Sequence, residues 1–157
     1  MSIENVKKYF SKYNKEESIL EFDESSATVE LAAKAVGTEE ARIAKTLSFI
    51  TKEGPVLIVA SGDAKIDNKK YKAEFGCKAK MIAFDDAEEI IGHKVGGICP
   101  FAIKDDVKVF LDDSLKRFET SFPAAGSSNS AIELNCKELE EFSQNFIKWV
   151  NVCKIAE

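Results

Sequence analysis

The strongest constraint on the fold is a pair of apolar runs in the first half of the chain. The runs Thr46–Thr51 and Val56–Ser61 have the length and the residue types of β-strands. The four residues 52–55 that join them are typical of a turn. The sequence therefore predicts a β-hairpin, and with it a fold that contains a sheet.

Helical signals lie on both sides of this hairpin. Near residues 2–15, apolar side chains recur at helical spacing in a segment rich in Lys and Glu. The segment Thr28–Val36 has strong helix formers and is followed by Gly37, a typical terminator. Further helical segments are predicted from the cap Thr38, at 68–75 between the cap Asp67 and Gly76, from Asp85–Asp86 to Gly92, and near 137–147.

The remaining apolar runs predict short strands. These are Ile19–Phe22, Lys80–Phe84, Val107–Leu111, Thr120–Phe122, Ala131–Leu134 and Trp149–Val152. Helices and strands are interspersed without a strict βαβ rhythm. We therefore predict an α+β fold with a mixed, largely antiparallel sheet, formed by residues 1–157 as one domain.

Composition places the chain among folded proteins of ordinary type. It has 157 residues, of which 45% are hydrophobic and 31% charged, with only 3 Pro and 8 Gly. The longest apolar run, Val56–Ala60, is far shorter than the ~20 residues of a membrane span. The first residues lack the pattern of a signal peptide. We expect a cytoplasmic protein that does not engage a membrane.

Counts of two residue types exclude several kinds of site. His93 is the one histidine, so a metal held by two or three imidazoles is excluded. The 4 cysteines include no C-x-x-C pair, which excludes a zinc ribbon or a dithiol motif. We expect no metal and no cofactor, and a solvent-exposed His93.

The net charge of −5 argues against a surface that wraps long stretches of nucleic acid. The segment Lys65–Lys80 reverses this balance with six lysines against two acids. Such a segment is either a solvated helix face or a small patch that contacts phosphates.

Lys45 is the first candidate site residue. Because successive side chains of a strand point to opposite faces, Lys45 lies on the same face as Leu47 and Phe49. A charged side chain therefore begins an otherwise apolar face of this strand. Burial of an ammonium without a partner is costly. Lys45 must therefore either extend to solvent from the strand end or face a polar cavity.

The second candidate is the loop Gly96–Phe101. Two adjacent glycines followed by Pro100 allow the main chain to approach a ligand closely, with N–H groups free to bind an oxyanion or a carbonyl oxygen. An ordinary tight turn is the alternative. Cys99 within this loop is either a small apolar filler or, if Lys45 lowers its pKa, a reactive thiol.

A third segment, Pro123–Ser130, is small and polar. It is either a plain connection or the rim of a pocket. Asn129 and the neighbouring serines can supply hydrogen bonds to a polar ligand, but no G-x-S-x-G motif makes a serine a nucleophile.

Four segments in this order resemble the YbaK and prolyl-tRNA-synthetase-associated editing family of aminoacyl-tRNA deacylases. They are Thr28–Ala33 with Gly37, Ile43–Leu47, Gly96–Phe101 and Ala125–Leu134. The resemblance implies a mixed, partly barrel-like sheet flanked by helices. It also implies an enzyme that acts in trans on a mischarged tRNA and hydrolyses the ester at its acceptor end, with an aminoacyl-tRNA synthetase as a further candidate partner.

The resemblance also assigns roles to residues. Lys45 is the residue most closely tied to activity, and the glycine loop holds the aminoacyl carbonyl or the terminal ribose. The N–H groups of Gly97 and Ile98 are predicted as further donors to the ester oxygen. The predicted substrate-binding residues are Thr46, Gly96, Cys99, Pro100, Gly126, Ser127, Ser128 and Asn129.

Two departures from the family leave the edited amino acid open among Cys, Ala, Ser and Thr. Ala102 stands where many members have glycine, and Ala131 stands where the cysteine-specific members are expected to have an acidic residue. These departures keep a second hypothesis open: the protein has lost catalytic turnover and is a binding module that recognises either an aminoacyl end or a synthetase. A hydrolase built on Cys99 is the third.

Overall fold

The structure, a computed structural model, describes residues 2–155. In chain order the helices are α1 (Ser2–Ser11), α2 (Val29–Val36), α3 (Asn68–Phe75), α4 (Ala87–Ile91) and α5 (Cys136–Phe142). The strands are β1 (Leu20–Glu21), β2 (Ile43–Thr51), β3 (Gly54–Ser61), β4 (Ala64–Ile66), β5 (Lys108–Asp112), β6 (Thr120–Pro123), β7 (Ser130–Ala131), β8 (Leu134–Asn135), β9 (Phe146–Val150) and β10 (Cys153–Ile155). No helix in this part of the chain is long and apolar enough to cross a membrane.

The predicted hairpin lies at the centre of a six-stranded sheet with the order β8-β6-β2-β3-β5-β9. The pairs β2–β3 and β6–β8 are antiparallel, whereas β2–β6, β3–β5 and β5–β9 are parallel. Two small antiparallel pairs, β1–β7 and β4–β10, lie outside this sheet. The prediction of an α+β fold with a mixed sheet is confirmed, with more parallel pairing in the main sheet than we predicted.

Both faces of the sheet are buried. Along β3, Leu57 and Val59 belong to a core cluster that includes residues of α1 and α5, whereas Ile58 and Ala60 belong to a second cluster that includes Tyr71 of α3. All four strand side chains are fully buried. This explains the continuous apolar run in β3, because a strand covered on both faces has no polar side.

The cap signals identified α2 and α3 correctly. Thr28 accepts a hydrogen bond from the Leu31 N–H (3.1 Å), and Gly37 ends α2 with a φ of 84°. Asp67 accepts hydrogen bonds from the Lys69 and Lys70 N–H groups, and the helix ends at a glycine with a φ of 72°. Both helices have the predicted bounds to within one residue.

Other predicted bounds were wrong, chiefly where tertiary pairing overrides a local pattern. The closing helix ends at Phe142, because the chain turns at Asn145 (φ 57°) and Phe146 joins β9 beside β5. The predicted strand Lys80–Phe84 is reduced to a single bridge between Met81 and Phe49. The first helix stops at Ser11, and the predicted strand 131–134 is two short strands, β7 and β8.

The outer edge of β2 is interrupted. β6 pairs with it at Ile43 and Ala44, and the segment around Met81 pairs with it farther along, where the Ile50 N–H donates to the Lys80 carbonyl (2.9 Å). No strand formed by residues 2–155 lies beside residues 45–47 on this edge. The Ser48 carbonyl points to this edge, because it accepts a hydrogen bond from the Ile82 N–H. Main-chain groups two residues apart in a strand point to the same edge, so the N–H and C=O of Thr46 point into the gap.

Two glycines allow loops to pack closely beside this gap. A Cβ on Gly97 would lie 2.8 Å from main-chain atoms of Gly126 and Ser127. A Cβ on Gly126, which has a φ of 95°, would lie 2.8 Å from the Ser2 carbonyl oxygen. The glycine loop, the serine-rich segment and α1 are therefore in main-chain contact, which only glycine permits.

We predict that Gly97→Ala lowers the free energy of unfolding by about 1–3 kcal/mol, because its methyl group would overlap main-chain atoms that cannot move independently. Chemical denaturation measures the change. Gly76→Ala is the control, since its site has open space and costs only the left-handed backbone, about 1 kcal/mol. A Gly97→Ala protein as stable as the native one would contradict the packing described here.

Candidate functional site

The interrupted edge of β2 opens onto a cleft of about 320 Å³. Its lining comes from five parts of the chain that are distant in sequence. They are residues 26–32 with the start of α2, the β2 residues 43–48, the Met81–Ile82 segment, the loop residues Val95, Gly96 and Ile98, and the segment that holds Phe122, Ala124, Ser130 and Ala131.

Lys45 lies at this cleft and is half-buried. Its amine donates hydrogen bonds to the main-chain carbonyls of Gly62 (3.5 Å) and Ala64. Burial lowers the pKa of the Lys45 amine, and the negative charge of the Asp63 carboxylate opposes this shift. Lys45 is thus neither extended into bulk solvent nor without partners, and the cysteine beside it is Cys153.

The glycine loop contributes Gly96 and Ile98 to the same cleft. Gly97 differs from the prediction, because its N–H already donates to the Lys94 carbonyl (3.0 Å). Within residues 2–155 the Ile98 N–H has no hydrogen-bond acceptor. Of the two predicted amide donors, the one at Ile98 therefore has no acceptor among the described residues.

Cys99 and Pro100 are buried beneath the loop and do not line the cleft. The Cys99 Sγ lies 3.5 Å from the Nε2 of His93, which is 2.7 Å from the Phe101 carbonyl oxygen. Burial raises the pKa of the Cys99 thiol to about 12 and lowers the pKa of the imidazole. Both groups are neutral near pH 7. The prediction of an exposed His93 is therefore wrong, and Cys99 is the small apolar filler rather than a reactive thiol.

The serine-rich segment lies beside the cleft. Gly126, Ser127 and Ser128 border a neighbouring cavity of about 290 Å³, together with Gly97. Asn129 Nδ2 donates to the Phe22 carbonyl (3.0 Å), and the Ser26 N–H donates to the Ser128 carbonyl (2.6 Å). These residues therefore hold the 22–28 segment in place, a positioning role that the sequence did not separate from direct ligand binding.

The structure shows where the two predicted departures from the family, Ala102 and Ala131, lie. Ala102 has a φ of 54°, a left-handed backbone that favours glycine. Ala131 is 3% exposed, pairs with Leu20 and lines the cleft. Ala102 therefore adopts a backbone conformation that glycine adopts more readily, and Ala131 is a small residue in the lining of the cleft.

Ser26 is a cleft residue that sequence reasoning missed. Its side chain is only 7% exposed, and its hydroxyl has no hydrogen-bond partner in the described chain. The hydroxyl of Thr46, also at the cleft, is likewise buried without a partner. The only sequence signal for Ser26 was its position shortly before the Thr28 cap, and that position indicated a turn.

The cleft combines one charge with apolar walls. Among the described residues that line it, Lys45 alone is charged. Val29, Ala32, Ile43 and Phe122 form an apolar wall, and Met81, 59% exposed, lies at the rim. No group of three His, Cys, Asp or Glu side chains within residues 2–155 is placed to hold a metal ion. Such a cleft suits a neutral or anionic ligand with an apolar part.

Comparison with known proteins agrees with this geometry. The chain is 53% identical over 156 residues to the uncharacterized protein YwhH of Bacillus subtilis, covering 98% of each chain. It is 31% identical over 115 residues to the "Putative Cys-tRNA(Pro)/Cys-tRNA(Cys) deacylase EbsC" of Enterococcus faecalis, covering 72% of this chain and 70% of that one. A crystal structure described as a "putative trans-editing enzyme for prolyl tRNA synthetase" superposes with a TM-score of 0.82 at 23% identity, covering 94% and 95% of the two chains.

The sequence model of the aminoacyl-tRNA editing domain matches residues 23–142. This range includes β2, the glycine loop and the serine-rich segment, which together form most of the cleft. The family predicted from the sequence is thereby confirmed, and the enzyme class of that family and of its named relative, aminoacyl-tRNA deacylase, is the one predicted. The chain belongs to the aminoacyl-tRNA editing domain family.

Proposed function

We propose that this protein is a trans-acting deacylase that hydrolyses the ester of a mischarged tRNA. The observation that carries the proposal is that Lys45 and the glycine loop, about fifty residues apart in sequence, line one cleft in a chain of the editing family. That cleft lies at a strand edge with unpaired main-chain groups. It therefore offers donors to an ester without a side-chain nucleophile.

The size and lining of the cleft favour an amino acid with a small, uncharged side chain, such as Cys, Ala, Ser or Thr. The alanines 32, 44 and 131 leave space, while Val29 and Phe122 bound it with apolar surface. The relative named as a deacylase of Cys-tRNA supports this size class. A synthetase cannot strongly reject a smaller amino acid, because one methylene is worth only ~1–3 kcal/mol, so a second hydrolytic site corrects the error.

The proposed reaction uses water as the nucleophile. Water attacks the ester carbonyl carbon, the bond to the ribose oxygen breaks, and the proton released by the water passes to that oxygen. The products are a free amino acid and a tRNA with a free terminal hydroxyl. The Lys45 amine and the Ile98 N–H stabilise the negative charge that develops on the carbonyl oxygen.

Lys45→Met tests the central role of the amine. We expect its hydrolysis rate on the preferred mischarged tRNA to fall by ~10²–10³, the usual cost of losing one oxyanion donor. The measurement is deacylation of a panel of tRNAs carrying Ala, Cys, Ser or Thr. Lys52→Met, at the exposed turn of the same hairpin, is the matched control. Equal activity of the two folded variants would overturn this assignment.

A binding module without turnover remains the second candidate. The observation in its favour is that two predicted donors already have partners: the Lys45 amine binds the Ala64 carbonyl, and the Gly97 N–H binds the Lys94 carbonyl. In an enzyme, the Lys45 amine would have to leave the Gly62 and Ala64 carbonyls in order to bind the ester. Tight binding of an aminoacyl end or a synthetase, with no hydrolysis of any tRNA in the panel, would favour the module.

The predicted basic patch supports a tRNA substrate. Lys69, Lys72 and Lys78 surround one surface depression beside α3, and none of them, nor Lys80, forms an ion pair within residues 2–155. Lys80 directly precedes Met81 at the rim of the cleft. The nearness of Lys80 to this rim supports the proposal that the patch contacts the phosphates of an acceptor strand whose end enters the cleft.

We expect the double variant Lys78→Ala/Lys80→Ala to raise the KM for aminoacyl-tRNA and leave kcat unchanged. The slope of log KM against log salt should fall by about 0.7 for each phosphate of a single strand that the variant no longer neutralises. Steady-state kinetics between low and moderate salt measures both. The control removes two exposed lysines of α1 and the turn after it, Lys8→Ala/Lys12→Ala. Identical salt slopes in the two double variants would refute a specific role for the patch.

Alkylation separates a thiol mechanism from the one proposed. Because the Cys99 thiol is buried and its pKa is raised to about 12, we expect it to resist iodoacetamide at pH 7.5. The half-buried Cys77 should react first, without loss of deacylation. Mass spectrometry identifies the modified residue. Inactivation that follows modification of Cys99 would revive the thiol hypothesis.

A further inference from the structure

Two hydroxyl groups at the cleft have no hydrogen-bond partner in the described chain. The oxygen of Ser26 lies on the segment that precedes α2, and that of Thr46 lies on the open edge of β2. Both oxygens are buried from solvent, and the whole Ser26 residue is only 7% exposed. Neighbouring hydroxyls are paired: Ser127 Oγ, for example, donates to Ser130 Oγ at 2.7 Å.

An unpaired buried hydroxyl is unfavourable for folding. Buried polar groups are nearly always hydrogen-bonded. A buried polar group without a partner is therefore a candidate for binding a ligand. The main chain fixes both residues: the Ser26 N–H binds the Ser128 carbonyl at 2.6 Å, and Thr46 belongs to the central strand. These bonds hold the backbone of both residues in place.

We infer that Ser26 and Thr46 bind the free hydroxyl of the ribose that carries the aminoacyl ester. This inference rests on the proposed function and adds the residues that recognise the sugar. Both side chains are neutral and act as donor and acceptor, which matches a ligand hydroxyl. The α-ammonium of the amino acid is the poorer match, because the described lining of the cleft contains the cation Lys45 and no carboxylate.

The test uses analogues that cannot be hydrolysed. In these analogues, an amide replaces the ester at the 3′ position of adenosine. The acyl group is the amino acid that the native protein removes fastest. One analogue has the 2′-hydroxyl and the other has hydrogen there. Dissociation constants are measured for the native protein, Ser26→Ala, Thr46→Val and the control Ser143→Ala, which removes a buried hydroxyl that is also unpartnered but does not line the cleft.

We expect Ser26→Ala and Thr46→Val each to weaken binding of the hydroxylated analogue by about 3- to 10-fold, the effect of one neutral hydrogen bond. Binding of the deoxy analogue should change by less than about 2-fold, because its missing hydroxyl needs no partner. Thermal stability of both variants should be unchanged or higher, as for Ser143→Ala, since each loses an unsatisfied polar group.

Three results would overturn the inference alone while the native protein still hydrolyses its tRNA. They are unchanged binding in both variants, equal weakening with both analogues, and a loss of thermal stability that indicates a structural hydroxyl. A native protein that hydrolyses no mischarged tRNA and binds neither analogue would instead overturn the proposed function, and this inference with it.

Discussion

The structure depends on how the main-chain hydrogen bonds of β2 are satisfied. Buried N–H and C=O groups require partners, and β2 finds them along its whole inner edge in β3. On the outer edge, the part of the chain that the structure describes supplies partners only at the two ends of β2, first in β6 and then in the bridge at Met81. The gap between is where a ligand can meet unpaired backbone, and the cleft is built around it.

The other walls of the cleft are loops, so their positions must be set by contacts rather than by a ladder of hydrogen bonds. Gly97 packs directly on the main chain at Gly126 and Ser127, and the Ser128 carbonyl holds Ser26. Each loop therefore limits the position of the loop that it contacts. A change at one of these contacts would displace groups in another part of the cleft, which is why the serine-rich segment matters even though most of its side chains do not enter it.

Several features of the site oppose stability. The Lys45 amine is half-buried and has its pKa lowered by that burial, and the hydroxyls of Ser26 and Thr46 lack partners within the described chain. Ala102 also has a left-handed backbone. Proteins tolerate such costs where they serve binding or catalysis, because the surrounding core supplies the missing stability. The core clusters on both faces of the sheet fulfil that role here.

Local signals in the sequence were enough to predict the hairpin, the caps of α2 and α3, and the position of Lys45 at the start of an apolar strand face. Each of these features depends only on residues that are close together in sequence. The family motifs likewise marked the segments that form the cleft. Burial and hydrogen-bond partners depend instead on segments far apart in sequence. Only the folded chain could therefore show that His93 and Cys99 are buried, that the Gly97 N–H already has an acceptor, and that Ser26 lines the cleft.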